Sequence, residues 1–509
     1  MTTKIKAVTR SSTGPIVHQN GKVLKSAFLL INILCTLAIA CNIPTLILYD
    51  VGPFDLCVFR AGLTPSQYQS LETLNHLTRY VIRFNISDDL QSVEGSQLLR
   101  YTNNEDTPLS EVVFHLYPNL LGGEMRINSV TVDGSSSSPE FDEAQSLMRL
   151  PLAAPMQPGR SIIIGIDFSV VVPTRSSSAY FGILIYSEQI LSLAHAYPMV
   201  AAYDTDGWDT DTPWPIGDII FSDASFYRVT VEAPIGLAVV ASGIETDRQL
   251  VNGRQQITIL DGPARDFYLA ASPDFVKLSK QTDRLTINSY TLAGEEQAGQ
   301  EVLDFAEAAL QVFSNRYGSF PYIEFDVVPL PLSTLGIEFP GLIGIDLDLY
   351  LSSEINRADM LELISTHEVA HQWFYNLVGN DQLDEPWLDE SLAQFAVIKY
   401  FADTDPAMMQ AFEARLEGNL DWLGGMTIPI GLPVREYSSD TYLSIVYNEG
   451  PLVLQKLEEI MGQNVFDLFL HDYVQSLAWE VSSTQAFKSL AEQYCSCDLT
   501  PFFEEWIYP

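Results

Sequence analysis

Positive charge is what this chain lacks most: 27 Lys and Arg stand against 65 Asp and Glu, a formal net charge of -38 over 509 residues. A surface of that sign repels phosphates, which excludes nucleic acid as a partner. Two readings of the excess acid remain open, a strongly solvated surface suited to salt or a field that draws in cationic ligands. No basic stripe and no internal repeat is visible. Cysteine is also sparse, at five residues. Cys35 and Cys41 fall in an apolar N-terminal run, leaving Cys57, Cys495 and Cys497. Spacing excludes a zinc knuckle at Cys495-Ser496-Cys497 and leaves a bridge from Cys57 to one of that pair, or unpaired thiols. Apolar residues are not lacking, at 47%. A large core is available, and the length suggests two to four domains.

Residues 1–25 carry Lys4, Lys6, Arg10, Lys22 and Lys25 and no acid, and an apolar run from Ala27 to Ala40 then meets Cys41. A basic flank before a short apolar segment with a small-residue end reads as an export signal. Leu37-Ala38-Ile39-Ala40-Cys41 resembles a bacterial lipoprotein signal, whose cysteine takes the lipid. The alternative is an uncleaved anchor, because apolar character resumes from Ile43 to Tyr49. Either reading assigns residues 1–49 to a basic tail plus signal or membrane anchor. The following chain is then tethered to the membrane and faces out of the cytoplasm.

Residues 50–74 read as a linker. From about Tyr80 to Tyr290 the pattern is β: Tyr80, Ile82, Phe84 and Ile86 alternate with polar residues, as do Tyr227, Val229 and Val231. Residues 75–290 are therefore expected to form a mostly antiparallel β domain. Within it, Trp208 among Asp204, Asp206, Asp209 and Asp211 forms an acidic loop, read as solvated or as a calcium site. After Glu295 the texture turns helical, with Val302, Phe305, Ala309, Val312 and Phe313 at helical spacing and Gly318 as the stop. A strand through Phe325, Val327 and Val328 follows, then a helix expected from Arg357 to Val378 with Gly379 as its C-cap. Asp384-Glu385-Pro386 is expected to open the next helix. The fold class is α+β, a β domain followed by a mostly helical domain over residues 291–509.

That long helix carries His367-Glu368-Val369-Ala370-His371, and Glu390 comes nineteen residues after the second histidine. Histidines four apart share one helix face and reach one metal ion. A third ligand, Glu390, from the next helix leaves one tetrahedral position for water, the mark of a catalytic zinc site. Glu368, one step round the helix, stands beside such an ion without binding it, where a general base is needed. The expected cofactor is one Zn2+.

The runs His367-Glu368-Val369-Ala370-His371-Gln372-Trp373-Phe374 and Trp387-Leu388-Asp389-Glu390-Ser391-Leu392-Ala393 resemble the gluzincin aminopeptidases related to aminopeptidase N and leukotriene A4 hydrolase. Leu335-Gly336-Ile337-Glu338-Phe339-Pro340-Gly341, Tyr447-Asn448-Glu449-Gly450 and Phe114-His115-Leu116-Tyr117-Pro118-Asn119 extend the resemblance over roughly residues 75–509. It implies a saddle-shaped β domain on a thermolysin-like zinc domain, in a short form without the larger relatives' helical C-terminal domain. It also implies an aminopeptidase acting on peptides. Glu338 would bind the substrate's α-ammonium, backbone groups near Gly336 and Ile337 would align the peptide, and Tyr447 would donate to the oxyanion. Leu335 and Ser391 depart from the family pattern, each standing where a glycine is usual. The N-domain glutamine that assists amine binding in many relatives is not identifiable. Two alternatives stay open: a zinc hydrolase of other specificity, such as an endopeptidase or epoxide hydrolase, and a non-catalytic peptide-binding module. The oligomeric state is not legible.

Overall fold

The computed structural model describes residues 52–174, 180–282, 285–424 and 426–508. The signal or anchor expected over residues 1–49 lies outside them. No helix of the described residues is long and apolar enough to cross a membrane.

Alternation of apolar and polar side chains builds the first part of the fold. In Thr78–Ile86 the residues Tyr80, Ile82, Phe84 and Ile86 are buried, while Arg83 and Asn85 face solvent. This strand sits in an eight-stranded sheet. It pairs antiparallel with Ser92–Thr102 and parallel with Ser225–Ala233, so the sheet is mixed rather than wholly antiparallel. Tyr80 stacks on its register partner Tyr227 at 5.1 Å, tying the two neighbouring strands together on their buried face. Gly95 is glycine because a Cβ there would lie 2.2 Å from the ring of Phe168. Two four-stranded sheets and the two-stranded pair Tyr203–Asp204 with Gly207–Trp208 accompany the eight-stranded sheet among the described residues.

A five-stranded sheet leads into the helical part, in the order Phe275–Gln281, Thr286–Leu292, Glu324–Leu330, Leu342–Asp346, Gly336–Phe339. Its first two strands were expected in the β domain, so this sheet runs across the boundary drawn at residue 290. The reason is register: Thr286–Ser289 pairs parallel with Glu324–Val327. The helix Glu296–Tyr317 joins them, as the right-handed crossover of parallel strands requires. Part of the expected linker is also packed rather than loose. Phe59 lies 4.8 Å from Phe226, and Thr64 N donates to Pro321 O at 2.9 Å.

Two helix boundaries differ from expectation. The metal-motif helix spans Arg357–Ala370 and stops well short of Val378. Beyond it Asn376 N bonds His371 O at 3.0 Å and Val378 N bonds Trp373 O at 3.1 Å, a wider winding that ends the α-helix. The next helix begins at Glu390 instead of at Pro386. Pro386–Leu388 forms a 3-10 turn, and Asp389 caps the helix by accepting from Glu390 N at 2.9 Å. The sulfurs differ too. Cys495 and Cys497 are bonded to each other, excluding a bridge from Cys57 to either. Ser496 between them adopts a left-handed conformation (φ 53°), which folds the helix end back and brings the two Cα atoms to 5.2 Å.

Candidate metal centre

The two motif histidines project from one face of Arg357–Ala370 and its C-terminal cap, as their spacing dictates. Their Nε2 atoms are 3.2 Å apart. Glu390, first residue of Glu390–Thr404, brings Oε2 to 3.1 Å from His367 Nε2 and 3.5 Å from His371 Nε2. All three residues are buried. Around a zinc ion with arms near 2.05 Å, adjacent tetrahedral donors are separated by about 3.3 Å. The three separations in the structure bracket that edge length. His371 Nδ1 lies 3.0 Å from Phe374 O, so in the neutral ring, the form that binds a metal, Nδ1 carries the proton and Nε2 keeps its lone pair toward the cluster. The residues present therefore fit one zinc ion.

The electrostatics say the same. Burial opposes charge on His371, yet Glu338 and Glu390 outweigh it and hold its pKa well above the usual imidazole range. Glu390 is buried as well, but hydrogen bonds from His367 and His371 hold it well below the usual carboxylate range. Burial first, then Glu338, pushes Glu368 well up. Such a site calls for positive charge at its centre.

Around this cluster the remaining expected residues assemble. Glu368 is buried beside the ligands, with its carboxylate against Gly336. A Cβ at Gly336 would lie 2.3 Å from Glu368 Oε1, so a larger residue there would displace the carboxylate. Gly336–Phe339, which includes Ile337, is the edge strand of the five-stranded sheet, open to strand addition along one side. Glu338 on that strand is 7% exposed and accepts from Gln382 Nε2 at 3.3 Å. Tyr447 lies in the widened turn Leu443–Glu449, and its hydroxyl donates to Glu390 Oε1. Ser391 ties that turn to the ligand helix: its Oγ donates to Val446 O at 2.7 Å and fills the space a Cβ on Gly450 would need.

Sequence reasoning missed Gln382, Asp389 and Asp218. Gln382 Nε2 also donates to Asp389 Oδ2 at 2.7 Å, bridging the strand acid to the cap of the ligand helix. Asp218 comes from the β-rich part and, with Glu338, lines a cavity of about 20 Å³ between the two parts. Burial first, and then Glu338, raises its pKa. No Lys or Arg lines this cavity among the described residues. No local pattern marks Asp218 or Gln382, whereas Asp389 was readable as an N-cap before Glu390. The acidic loop is more distant. Trp208 anchors it edge-on to Tyr203 at 5.2 Å, while Asp209 turns in to 3.9 Å from His115 and Asp204, Asp206 and Asp211 keep contact with water.

A buried His-His-Glu set on two helices, beside a motif glutamate and an edge strand, defines a metal centre of the gluzincin type. Residues 301–506 match the peptidase family M1 domain. Aminopeptidase 2 of Candida albicans is 23% identical over 300 residues, covering 55% of this chain and 32% of that protein. Leucyl aminopeptidase of Saccharolobus solfataricus is 24% identical over 300 residues, 55% of this chain and 38% of that protein. The chain thus matches about a third of the length of these curated relatives. Among solved structures, a mutant M1 zinc metallopeptidase from Deinococcus radiodurans bound to a Tyr-Ser-Ala substrate superposes with a TM-score of 0.63 at 19% identity. That superposition covers 85% of this chain and 93% of the other, which shows a shared two-part fold.

Proposed function

We propose that the chain is a zinc-dependent aminopeptidase that removes N-terminal residues from peptides. The observation that carries this reading is the convergence of His367, His371 and Glu390, with Glu338 presented on an edge strand beside them. A zinc ion held by those three side chains would polarise the scissile carbonyl and acidify a water molecule. Glu368 takes the water's proton and delivers it to the leaving amine. The Tyr447 hydroxyl donates to the oxyanion that develops as the carbonyl is attacked. The backbone of Gly336 and Ile337 receives the peptide as an added strand. Glu338, steadied by Gln382, accepts from the free α-ammonium and so sets the register at the first residue. A free ammonium suits a site lined, among the described residues, by carboxylates without a Lys or Arg; a blocked N-terminus leaves the buried Glu338 with only its Gln382 bond and no cation to accept from. Cleavage of aminoacyl arylamides alongside their acetylated counterparts tests the reading. Preference for the free amine supports it, and equal cleavage of both would convert it to an endopeptidase.

We also propose that residues 1–49 export the chain and tether it to the membrane, with the catalytic part outside the cytoplasm. The basic flank, the apolar run and Cys41 support this. Fractionation of cells making the full chain or a form without residues 1–49 tests it. Only the full chain should sediment with membranes; a full chain found in the soluble fraction would overturn the proposal.

A further inference from the structure

The turn that follows the second histidine is held from outside its own domain. Tyr375 has φ 140°, a conformation that strains a residue with a Cβ. The peptide plane involved contains the Phe374 carbonyl, the acceptor for His371 Nδ1 at 3.0 Å. Relaxing φ at Tyr375 turns that same plane, and with it the group that orients the imidazole. Strain and ligand orientation are therefore coupled through one peptide unit.

Two consecutive residues of the β-rich part oppose the relaxation. Asp266 Oδ2 accepts from the Tyr375 hydroxyl at 3.1 Å. Arg265, 1% exposed, donates to Asn376 O at 3.2 Å, Leu377 O at 3.2 Å, Glu480 O at 2.6 Å and Ser222 O at 3.3 Å. Its guanidinium passes so close to the turn that a Cβ at Gly379 would lie 2.5 Å from Cζ. A buried cation placed on backbone carbonyls instead of a carboxylate is costly to desolvate, and these bonds recover that cost only with the turn in place.

We propose that Arg265 and Asp266 are positioning residues for the metal centre: by locking the strained turn at Tyr375 they fix the orientation of His371 and so set zinc affinity from the β-rich part. The inference rests on the zinc reading above. Groups that orient a ligand from behind typically contribute 10–100-fold in metal affinity. The test is the zinc dissociation constant of the full chain by chelator competition, with melting of the metal-free protein as a separate readout of folding. Tyr375→Phe, which removes one hydroxyl and keeps the ring, should weaken zinc binding about tenfold, and Arg265→Lys by at least as much. Asp266→Asn, which keeps an acceptor for the hydroxyl, should retain wild-type affinity. A purely structural role would lower the melting temperature of the metal-free variants and leave the dissociation constant unchanged; that result in Tyr375→Phe would overturn the proposal even if Arg265→Lys does not fold. Failure of the wild-type chain to bind zinc would instead refute the metal centre itself.

Discussion

Replacing Glu368 by glutamine removes an ionisable group and almost no volume. The side chain is buried, and its slot is bounded by Gly336, which leaves room for the head group and nothing more. An amide fits that slot, and none of the three metal donors needs to move. What disappears is the acceptor that takes a proton from water. General acid–base catalysis contributes roughly 10²–10⁴-fold, which is about 3–5 kcal/mol at ~1.4 kcal/mol per decade. A second effect acts on binding. Donor atoms of Glu338, Glu368 and His371 lie within 4.8 Å of one another. Two carboxylates at that spacing, when both are ionised, repel by about 3.5 kcal/mol at an effective dielectric of about 20. Glutamine at 368 removes this repulsion, so Glu338 ionises more readily and the substrate amine is held no less well. The expectation is a kcat lowered at least ~10²-fold with KM unchanged or reduced, and zinc retained at one per chain. Steady-state kinetics on an aminoacyl arylamide, with metal content measured on the same preparation, checks it. Full zinc content with kcat within about tenfold of wild type would refute the assignment of Glu368 as base.

Tyr447→Phe should lower kcat about 10²–10³-fold with little change in KM, because the hydroxyl is needed only as the oxyanion forms; a change confined to KM would contradict that role. Glu338→Gln should depress kcat/KM for free-amine substrates and leave the slow cleavage of acetylated ones unchanged, read from the two substrate series side by side. Asp326 lies buried in the catalytic sheet, accepting from Asn288 Nδ2 at 2.7 Å, and burial pushes its carboxyl up to about 8. The folded state then binds a proton that the unfolded chain releases above about 4. This group's stabilising contribution is therefore complete at low pH and is lost as pH rises through about 8. Thermal melts from pH 5 to 9 should fall less steeply for Asp326→Asn than for wild type, and parallel curves would show that Asp326 does not titrate in this way.

The convergence of the three candidate ligands was legible because they obey local rules. His367 and His371 are placed by helical spacing, and Glu390 by the cap and helix that follow. Glu338 and Tyr447 have no such rule: each was found only through the motif surrounding it, and the structure brings both to the cluster. The end of the metal-motif helix was misread because nothing near Val378 announces it. The widened turn is fixed by Arg265, 111 residues before Asn376 in the chain. Gln382 and Asp218 were missed for the same reason, since both acquire meaning only when distant segments meet. The sheet that runs across residue 290 was not legible because alternation identifies a strand but not its partner. Thr286–Leu292 reads as β in either domain, and only its pairing with Glu324–Leu330 decides which.

Zinc-edge anomalous diffraction from crystals of the full chain addresses the central claim most directly. One strong peak per chain, within bonding distance of His367 Nε2, His371 Nε2 and the Glu390 carboxylate, is the predicted result. A crystal grown with zinc that shows no peak there, or a peak held by other side chains, would contradict it.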